Sequence, residues 1–89
     1  LLLGRKSPVE KVASFLNRLC RENGRSGGPE NEVDLDMGRS DIADYLGLTI
    51  ETVSRTFTKL RTDGTITLEG KHHVIINDMD ALADIAEEF

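Results

Sequence analysis

The longest amphipathic segment of the chain follows Ser7. Proline comes directly after this serine and Glu10 lies three residues beyond it, a pattern typical of a helix start with a capping box. Apolar residues then recur at helical spacing as far as Asn23 and Gly24. They are Val9, Val12, Ala13, Leu16, Leu19 and Cys20. The pattern predicts one long helix with a buried stripe.

Two shorter apolar patterns, separated by a glycine, lie in the middle of the chain. The first has Ile42, Ala43 and Leu46 on one helical face. Gly47 follows where a helix commonly ends in a left-handed residue, and Thr49 can cap a second helix whose first turn contains Glu51. The predicted buried face of the second helix is Ile50, Val53, Phe57 and Leu60, and its predicted outer face is Glu51, Thr52, Ser54, Arg55 and Thr58. Two helices joined by one tight turn are a helix-turn-helix, a unit that indicates DNA binding.

Strand patterns lie on both sides of this unit. Residues 25–31 contain two glycines, one proline and no apolar side chain, which predicts a loop. Val33 and Leu35 then alternate with Asp34 and Asp36, as in a short half-buried strand.

A β-hairpin is predicted after the second helix. Asp63-Gly64 marks the end of that helix, residues 66–69 alternate apolar and polar, and Gly70-Lys71 turns the chain into residues 73–76. Asp78 can cap a last helix whose inner face is Met79, Leu82, Ile85, Ala86 and Phe89. The predicted fold is therefore mainly α with a small antiparallel β-sheet of three strands, a winged helix-turn-helix.

Charge is the main objection to nucleic-acid binding. The 89 residues include 16 acids and 11 bases, a net charge of −5, whereas a domain that contacts phosphates is expected to present a basic face. The acids are concentrated in residues 30–36 and 78–88, outside the helix-turn-helix. Between residues 52 and 71 four bases stand against two acids, so the excess positive charge lies where DNA is expected.

Several other classes of function are not supported by the residues. No arrangement of Ser, His and Asp or of Cys and His predicts an enzyme, and no glycine-rich phosphate loop is present. Cys20 stands alone, which excludes an internal disulfide, and it is interpreted as a small core residue. His72 and His73 are expected on opposite faces of a strand, as surface residues that do not share a metal. We expect no metal and no cofactor in this domain, and no apolar run is long enough for a membrane span.

The segment from Gly47 to Arg55 resembles the recognition motif of the Crp/Fnr family of bacterial transcription regulators. Glu51, Ser54 and Arg55 match the Glu-x-x-Ser-Arg signature of its FNR/FixK branch. The catabolite-activator branch usually has Arg where this chain has Ile50, and Gly where it has Ser54. The likeness extends from about residue 4 to residue 86, and one departure is Thr56, where the helix-turn-helix pattern expects an apolar residue.

The resemblance implies that Glu51, Ser54 and Arg55 read bases of a TTGA-like half-site. The guanidinium of Arg55 fits guanine O6 and N7, and the carboxylate of Glu51 suits the amino group of cytosine. Ser54 can donate, accept or lie beside a thymine methyl group. The alternative from spacing alone is an exposed ion pair between Glu51 and Arg55.

A second group of residues is predicted to contact phosphates and set the register of the protein on DNA. The group consists of Ser40, Thr49, Thr52, Thr58, Lys59, Gly70 and Lys71. Thr49 is equally well explained as a cap and Lys59 as a solvated charge. For Gly70 and Lys71 the alternative is an ordinary hairpin turn.

The resemblance also implies how the domain is used. Residues 1–6 would be the end of a dimerisation helix or linker that follows an N-terminal sensory barrel, and residues 7–89 would be the DNA-binding domain. The expected partners are double-stranded DNA with an inverted repeat, a second copy of the protein and RNA polymerase, in the cytoplasm and without a membrane. The alternative is a winged helix that binds protein only, which the net acidic charge favours. RNA binding is disfavoured, because four aromatic residues provide no stacking platform.

Overall fold

The computed structural model describes residues 6–87, which form four helices and three strands. In chain order the elements are α1 (Pro8–Arg25), β1 (Glu32–Asp34), α2 (Arg39–Leu46), α3 (Ile50–Thr62), β2 (Ile66–Glu69), β3 (His73–Ile76) and α4 (Met79–Ala86). The predicted winged helix-turn-helix is confirmed. The expected dimerisation helix or linker, apart from Lys6, and the predicted inner residue Phe89 lie outside the described residues.

The start of α1 is held by the predicted capping box. The backbone N–H of Glu10 donates to Ser7 Oγ at 3.2 Å, and the N–H of Ser7 donates to Glu10 Oε1 at 2.8 Å. The second bond stabilises the carboxylate and lowers the pKa of Glu10. The helix extends beyond the predicted end to Arg25. It buries Phe15 and Asn17 together with four of the six residues of the predicted stripe, whereas Val9 and Leu19 are only partly buried.

The turn between α2 and α3 has the predicted geometry. Gly47 has φ of 71° and ψ of 35°, a left-handed conformation that glycine adopts without a Cβ clash. The side chain of Thr49 accepts a hydrogen bond from the N–H of Thr52 at 3.1 Å and so caps α3. These two residues set the sharp change of direction between the helices.

The predicted buried face of α3 was wrong at one end. Ile50 is 51% exposed, whereas Val53, Phe57 and Leu60 are buried. Thr56 completes the buried face instead, because positions 53, 56, 57 and 60 follow the i, i+3, i+4, i+7 spacing and Ile50 lies at its edge in the first turn. The Thr56 hydroxyl donates to the Thr52 carbonyl at 2.7 Å, so burial leaves no unpaired donor.

The sheet has the strand order β1-β3-β2 with antiparallel pairs. Val74 lies opposite both Val33 and Leu68, which places apolar side chains of the three strands side by side. β1 ends at Asp34, two residues before the end of the predicted alternating pattern at Asp36. Leu35 is nevertheless buried, and its N–H donates to the carbonyl of His72 at 2.7 Å.

The core lies between α1, α2, α3, α4 and the inner face of the sheet, and α2 contributes Ile42 and Ala43. Asp78 caps α4 through the N–H of Ala81 at 3.0 Å, and Leu82 and Ala86 are buried against α1. Cys20 is fully buried, and burial raises the pKa of its thiol, as expected for a core cysteine. None of the helices within residues 6–87 has the length and apolar character needed to cross a membrane.

Candidate nucleic-acid interface

The outer face of α3 presents polar side chains at helical spacing. Glu51, Ser54, Arg55 and Thr58 are all exposed and follow the i, i+3, i+4, i+7 pattern on the side opposite the buried face. Since the buried face is fixed by the core, the rotation of α3 about its axis is fixed as well. The three predicted base-reading residues therefore lie on one exposed face, in fixed positions relative to the domain.

Glu51 and Arg55 are not engaged with each other. Within residues 6–87 no ion pair or hydrogen bond joins their side chains, although the i, i+4 spacing would permit one. The guanidinium donors and the carboxylate acceptors thus face solvent. Such groups are available for base edges, because no intramolecular contact has to break first.

Arg55 also borders α1. A shallow cleft between α1 and α3 is lined by Pro8, Val9, Thr52, Arg55, Thr56 and Lys59.

Lys59 Nζ lies 3.2 Å from Asp63 Oδ2 in an exposed ion pair, so the charge of Lys59 is partly compensated. The Thr58 hydroxyl donates to the Ser54 carbonyl at 3.0 Å, which leaves its oxygen able to accept.

The hydroxyl groups of Thr49 and Thr52 form a local pair at the start of α3. Besides its capping bond, Thr49 Oγ1 donates to Thr52 Oγ1 at 2.9 Å. The capping role of Thr49 is therefore confirmed, and its phosphate contact stays a prediction. At this end of α3 the first backbone N–H groups have no partner within the helix, which favours anions.

The start of α2 lies beside the wing, which is the hairpin formed by β2 and β3. Met37, Gly38, Arg39, Lys71 and His72 line one groove, so the α2 N-terminus and the turn after β2 face the same space. Gly38 caps α2 without a side-chain hydrogen bond, and the first intrahelical bond runs from Ile42 N–H to Gly38 carbonyl at 3.0 Å. An N-terminus of this kind suits a phosphate.

The predicted residues Ser40, Gly70 and Lys71 belong to this same region. Ser40 is the second residue of α2 and is exposed, and Gly70 has φ of 64° in the exposed turn that also contains Lys71. The tertiary structure thus places α2 and the wing, which are thirty residues apart in sequence, on one side of the domain. Contact of these residues with phosphate stays a prediction.

Arg39 is a candidate residue that the sequence analysis missed. Its guanidinium carbon lies 4.1 Å from the centroid of the Phe57 ring, a cation–π contact that fixes the side chain at the groove. Burial lowers the pKa of Arg39 from its ordinary value, but an arginine side chain stays charged. The signal in the sequence was a cation at the first position of a helix, where the helix dipole disfavours positive charge.

The interpretation of the two histidines needs correction. His72 lies in the turn, before β3 begins, so the pair does not alternate along a strand. His73 is not a simple surface residue, because its side chain is only 29% exposed and its ring lies 2.6 Å from Asp34 Oδ1 and 2.8 Å from Glu32 Oε1. Two of the acids before the helix-turn-helix are therefore paired with a base. Among residues 6–87 no group of three or more His, Cys, Asp or Glu side chains is arranged to hold a metal.

Comparison with known proteins agrees with this architecture. The sequence profile of the Crp-like helix-turn-helix domain matches residues 10–85. A chain with a winged helix-turn-helix and this match over most of its length is a DNA-binding domain of the Crp/Fnr type. The chain belongs to the Crp-like helix-turn-helix domain family.

Named relatives lie in the FixK and Fnr group. The chain is 53% identical over 83 residues to the nitrogen fixation regulation protein FixK of Azorhizobium caulinodans, covering 92% of this chain and 34% of the relative. It is 48% identical over 91 residues to the transcriptional activator protein FnrL of Cereibacter sphaeroides, covering 97% and 36%. The structure of FixK2 from Bradyrhizobium japonicum matches with a TM-score of 0.83 and 39% identity over 96% of this chain and 41% of that one. The chain thus spans about a third of the length of the curated relatives.

Proposed function

We propose that this domain binds double-stranded DNA by placing α3 in the major groove of a TTGA-like half-site. Arg55 donates to a guanine, Glu51 accepts from a cytosine, and Ser54 contacts the neighbouring base pair. The observation that carries the proposal is the exposed, mutually unpaired state of Glu51 and Arg55 on a helix face whose rotation is fixed by the core.

Phosphate contacts from two sides would set the register of α3. On one side the start of α2, with Arg39 and Ser40, lies beside the turn that contains Gly70 and Lys71. On the other side lie the polar groups of α3, from the cap to the middle of the helix. They are Thr49, Thr52, Thr58 and Lys59. Contacts of this type position a protein without reading sequence.

The net charge of −5 is compatible with this proposal. The acids Glu32 and Asp34 are held by His73, and four cations border the proposed interface: Arg39, Arg55, Lys59 and Lys71. The favourable charge is nevertheless modest, so a second domain is expected to be needed for tight binding. Two copies on an inverted repeat, with recognition helices about 34 Å apart, would supply the missing affinity.

Dimerisation and activation belong to the proposed function of the longer regulator. The name of FnrL describes a transcriptional activator, and we propose the same for the protein that contains this domain, acting through RNA polymerase. The alternative of a protein-interaction module without DNA binding is not favoured, because the similar proteins are regulators of the FixK and Fnr type.

The test measures discrimination at single base pairs. Wild type, Arg55→Ala and Glu51→Ala are titrated by fluorescence anisotropy against a duplex with one TTGA half-site and against duplexes substituted at each position. Each variant is expected to lose about 1 to 3 kcal/mol of discrimination at one base pair, which identifies the base that the side chain reads. Arg61→Ala is the matched control, since Arg61 is an exposed arginine in the last turn of the same helix.

The control is expected to weaken binding uniformly and to leave base preference unchanged. Unchanged discrimination in both Arg55→Ala and Glu51→Ala would refute the proposed base contacts. A thermal melt of each variant separates loss of contact from loss of fold.

A further inference from the structure

A cationic groove lies between α1 and the C-terminal end of α2. Four of the eight lining residues that the structure describes are cations: Lys6, Lys11, Arg18 and Arg21. Phe15 and Tyr45 also line the groove, and none of the described lining residues is acidic. In a chain with a net charge of −5 this is a marked concentration of positive charge, and it lies outside the α3 face described above.

Neutral acceptors hold two of these cations in place. Lys6 Nζ donates to Ser14 Oγ at 2.8 Å and to the Ala86 carbonyl at 3.3 Å, and Lys11 Nζ donates to the Leu46 carbonyl at 3.2 Å. These bonds fix the ammonium groups but do not neutralise them. Lys11 therefore keeps its positive charge for an anionic partner.

An aromatic platform forms one wall of the groove. Tyr45 is 55% exposed, and its ring centroid lies 5.8 Å from that of Phe15. Arg18 lies over the Tyr45 ring at 5.3 Å and also donates a hydrogen bond to the Tyr45 hydroxyl. An exposed tyrosine held by an arginine is typical of protein interfaces, where these two residue types are enriched at the centre. At the outer edge of the groove, Arg18 Nε also lies 4.0 Å from Glu22 Oε1.

The groove is separate from the proposed DNA interface. None of its lining residues comes from α3, whereas Pro8 and Val9 line the cleft with Arg55 on another side of α1. A partner in the groove would leave Glu51, Ser54 and Arg55 exposed. Both surfaces can thus be occupied at the same time.

We propose that this groove docks an acidic helical segment of a partner protein. Lys11 and Arg18 are seven residues apart on α1, about 10.5 Å along the helix, which matches two carboxylates two turns apart on a partner helix. An apolar side chain between those carboxylates would pack on Tyr45 and Phe15. This site adds a protein contact to the proposed DNA binding and does not depend on it.

The first test is a titration followed by amide chemical shifts. The probe is a synthetic 16-residue alanine-based helical peptide with glutamates seven residues apart and a leucine midway between them; a glutamine version serves as the uncharged control. The acidic peptide is expected to shift the amides of Ser14, Arg18, Tyr45 and Leu46, and the glutamine version is expected to bind about tenfold more weakly. Shifts spread evenly over all exposed cations would overturn the proposal.

Variants decide whether the groove itself is the site. Lys11→Gln combined with Arg18→Gln is expected to weaken peptide binding about tenfold, and Tyr45→Ser, at an exposed position, is expected to weaken it several-fold. Arg25→Gln is the matched control, because Arg25 is an exposed cation at the end of α1 outside the groove. Equal losses in the control and in the groove variants would show general charge attraction and refute the site.

A duplex of about 12 base pairs without a half-site tests the other class of ligand. Stronger binding of this duplex to the same amides would assign the groove to DNA phosphates and overturn the proposed protein partner. Operator binding of the groove variants is expected to stay within about twofold of wild type, since the groove shares no residue with the α3 face. Failure of base reading by Arg55 would leave the groove proposal intact.

Discussion

The ring nitrogen Nδ1 of His73 lies 2.6 Å from Oδ1 of Asp34, across the pair of strands β3 and β1. The other ring nitrogen lies 2.8 Å from Glu32 Oε1, so one imidazole bridges two carboxylates on the neighbouring strand. Glu69 Oε1 lies further away, 4.0 Å from His73 Nε2. When protonated, the ring donates to both carboxylates and ties the wing strand to β1.

Stability is therefore expected to fall as the pH rises above neutral. The hydrogen bonds to Asp34 and then Glu32 raise the pKa of His73 above its usual value of 6.5. A raised pKa in the folded state contributes stability that is complete below 6.5 and is lost as the pH rises through the folded value. Thermal melts of wild type and His73→Asn between about pH 6 and pH 9 should converge at the alkaline end.

The neighbouring histidine provides the control for this prediction. His72→Asn changes an exposed ring that makes no carboxylate contact within the described residues. It should therefore reproduce the wild-type pH profile. A His73→Asn profile parallel to wild type over the whole range would contradict the proposed bridge.

Truncation of two apolar residues of α3 should have very different effects. Val53 is completely buried, and Val53→Ala is expected to lower the free energy of unfolding by about 2 kcal/mol. Ile50 is 51% exposed, and Ile50→Ala is expected to cost less than about 1 kcal/mol despite removal of a larger group. Urea unfolding of both variants checks the prediction. Equal losses of unfolding free energy in the two variants would indicate that Ile50 is buried like Val53.

The buried hydroxyl of Thr56 should contribute little to stability. It donates to the Thr52 carbonyl, which as a helix carbonyl also accepts from the backbone N–H four residues later. Thr56→Val keeps the shape and leaves no acceptor unpaired, so its effect is expected to lie within about 1 kcal/mol of zero. Thr56→Ser keeps the hydroxyl but loses a buried methyl group, at a cost of about 1 kcal/mol. If urea unfolding showed that Thr56→Val is much less stable than wild type, the hydroxyl would be essential to stability.

Gly47→Ala is expected to destabilise the domain by about 1 to 2 kcal/mol. An added Cβ would have ample space, since the nearest group is Lys11 Nζ at 4.0 Å. The cost would therefore come from the positive φ of 71° alone. Gly47→Asn should recover part of the loss, because asparagine tolerates this conformation better than alanine. Equal unfolding midpoints for the alanine and asparagine variants would point to another cause.

Local signals in the sequence were sufficient to predict the elements and the caps of α1, α3 and α4, whereas the end of α1 and the extent of β1 differ from the prediction. The capping box at Ser7, the left-handed Gly47 and the caps Thr49 and Asp78 act within a few residues, so their geometry depends little on the rest of the fold. The Glu-x-x-Ser-Arg signature is equally local, because Glu51, Ser54 and Arg55 share one helix face whenever the segment is helical.

Tertiary packing decided everything that depends on residues distant in sequence. Burial at the edge of a helix depends on where neighbouring elements end. Packing therefore leaves Ile50 exposed and buries Thr56. The same is true of the His73 bridge to β1, the position of Arg39 over Phe57 and the meeting of α1 with Tyr45 in the cationic groove. Local sequence patterns therefore define the helix-turn-helix and its outer face. Which charges meet depends on the folded chain, because those contacts join segments that no local pattern relates.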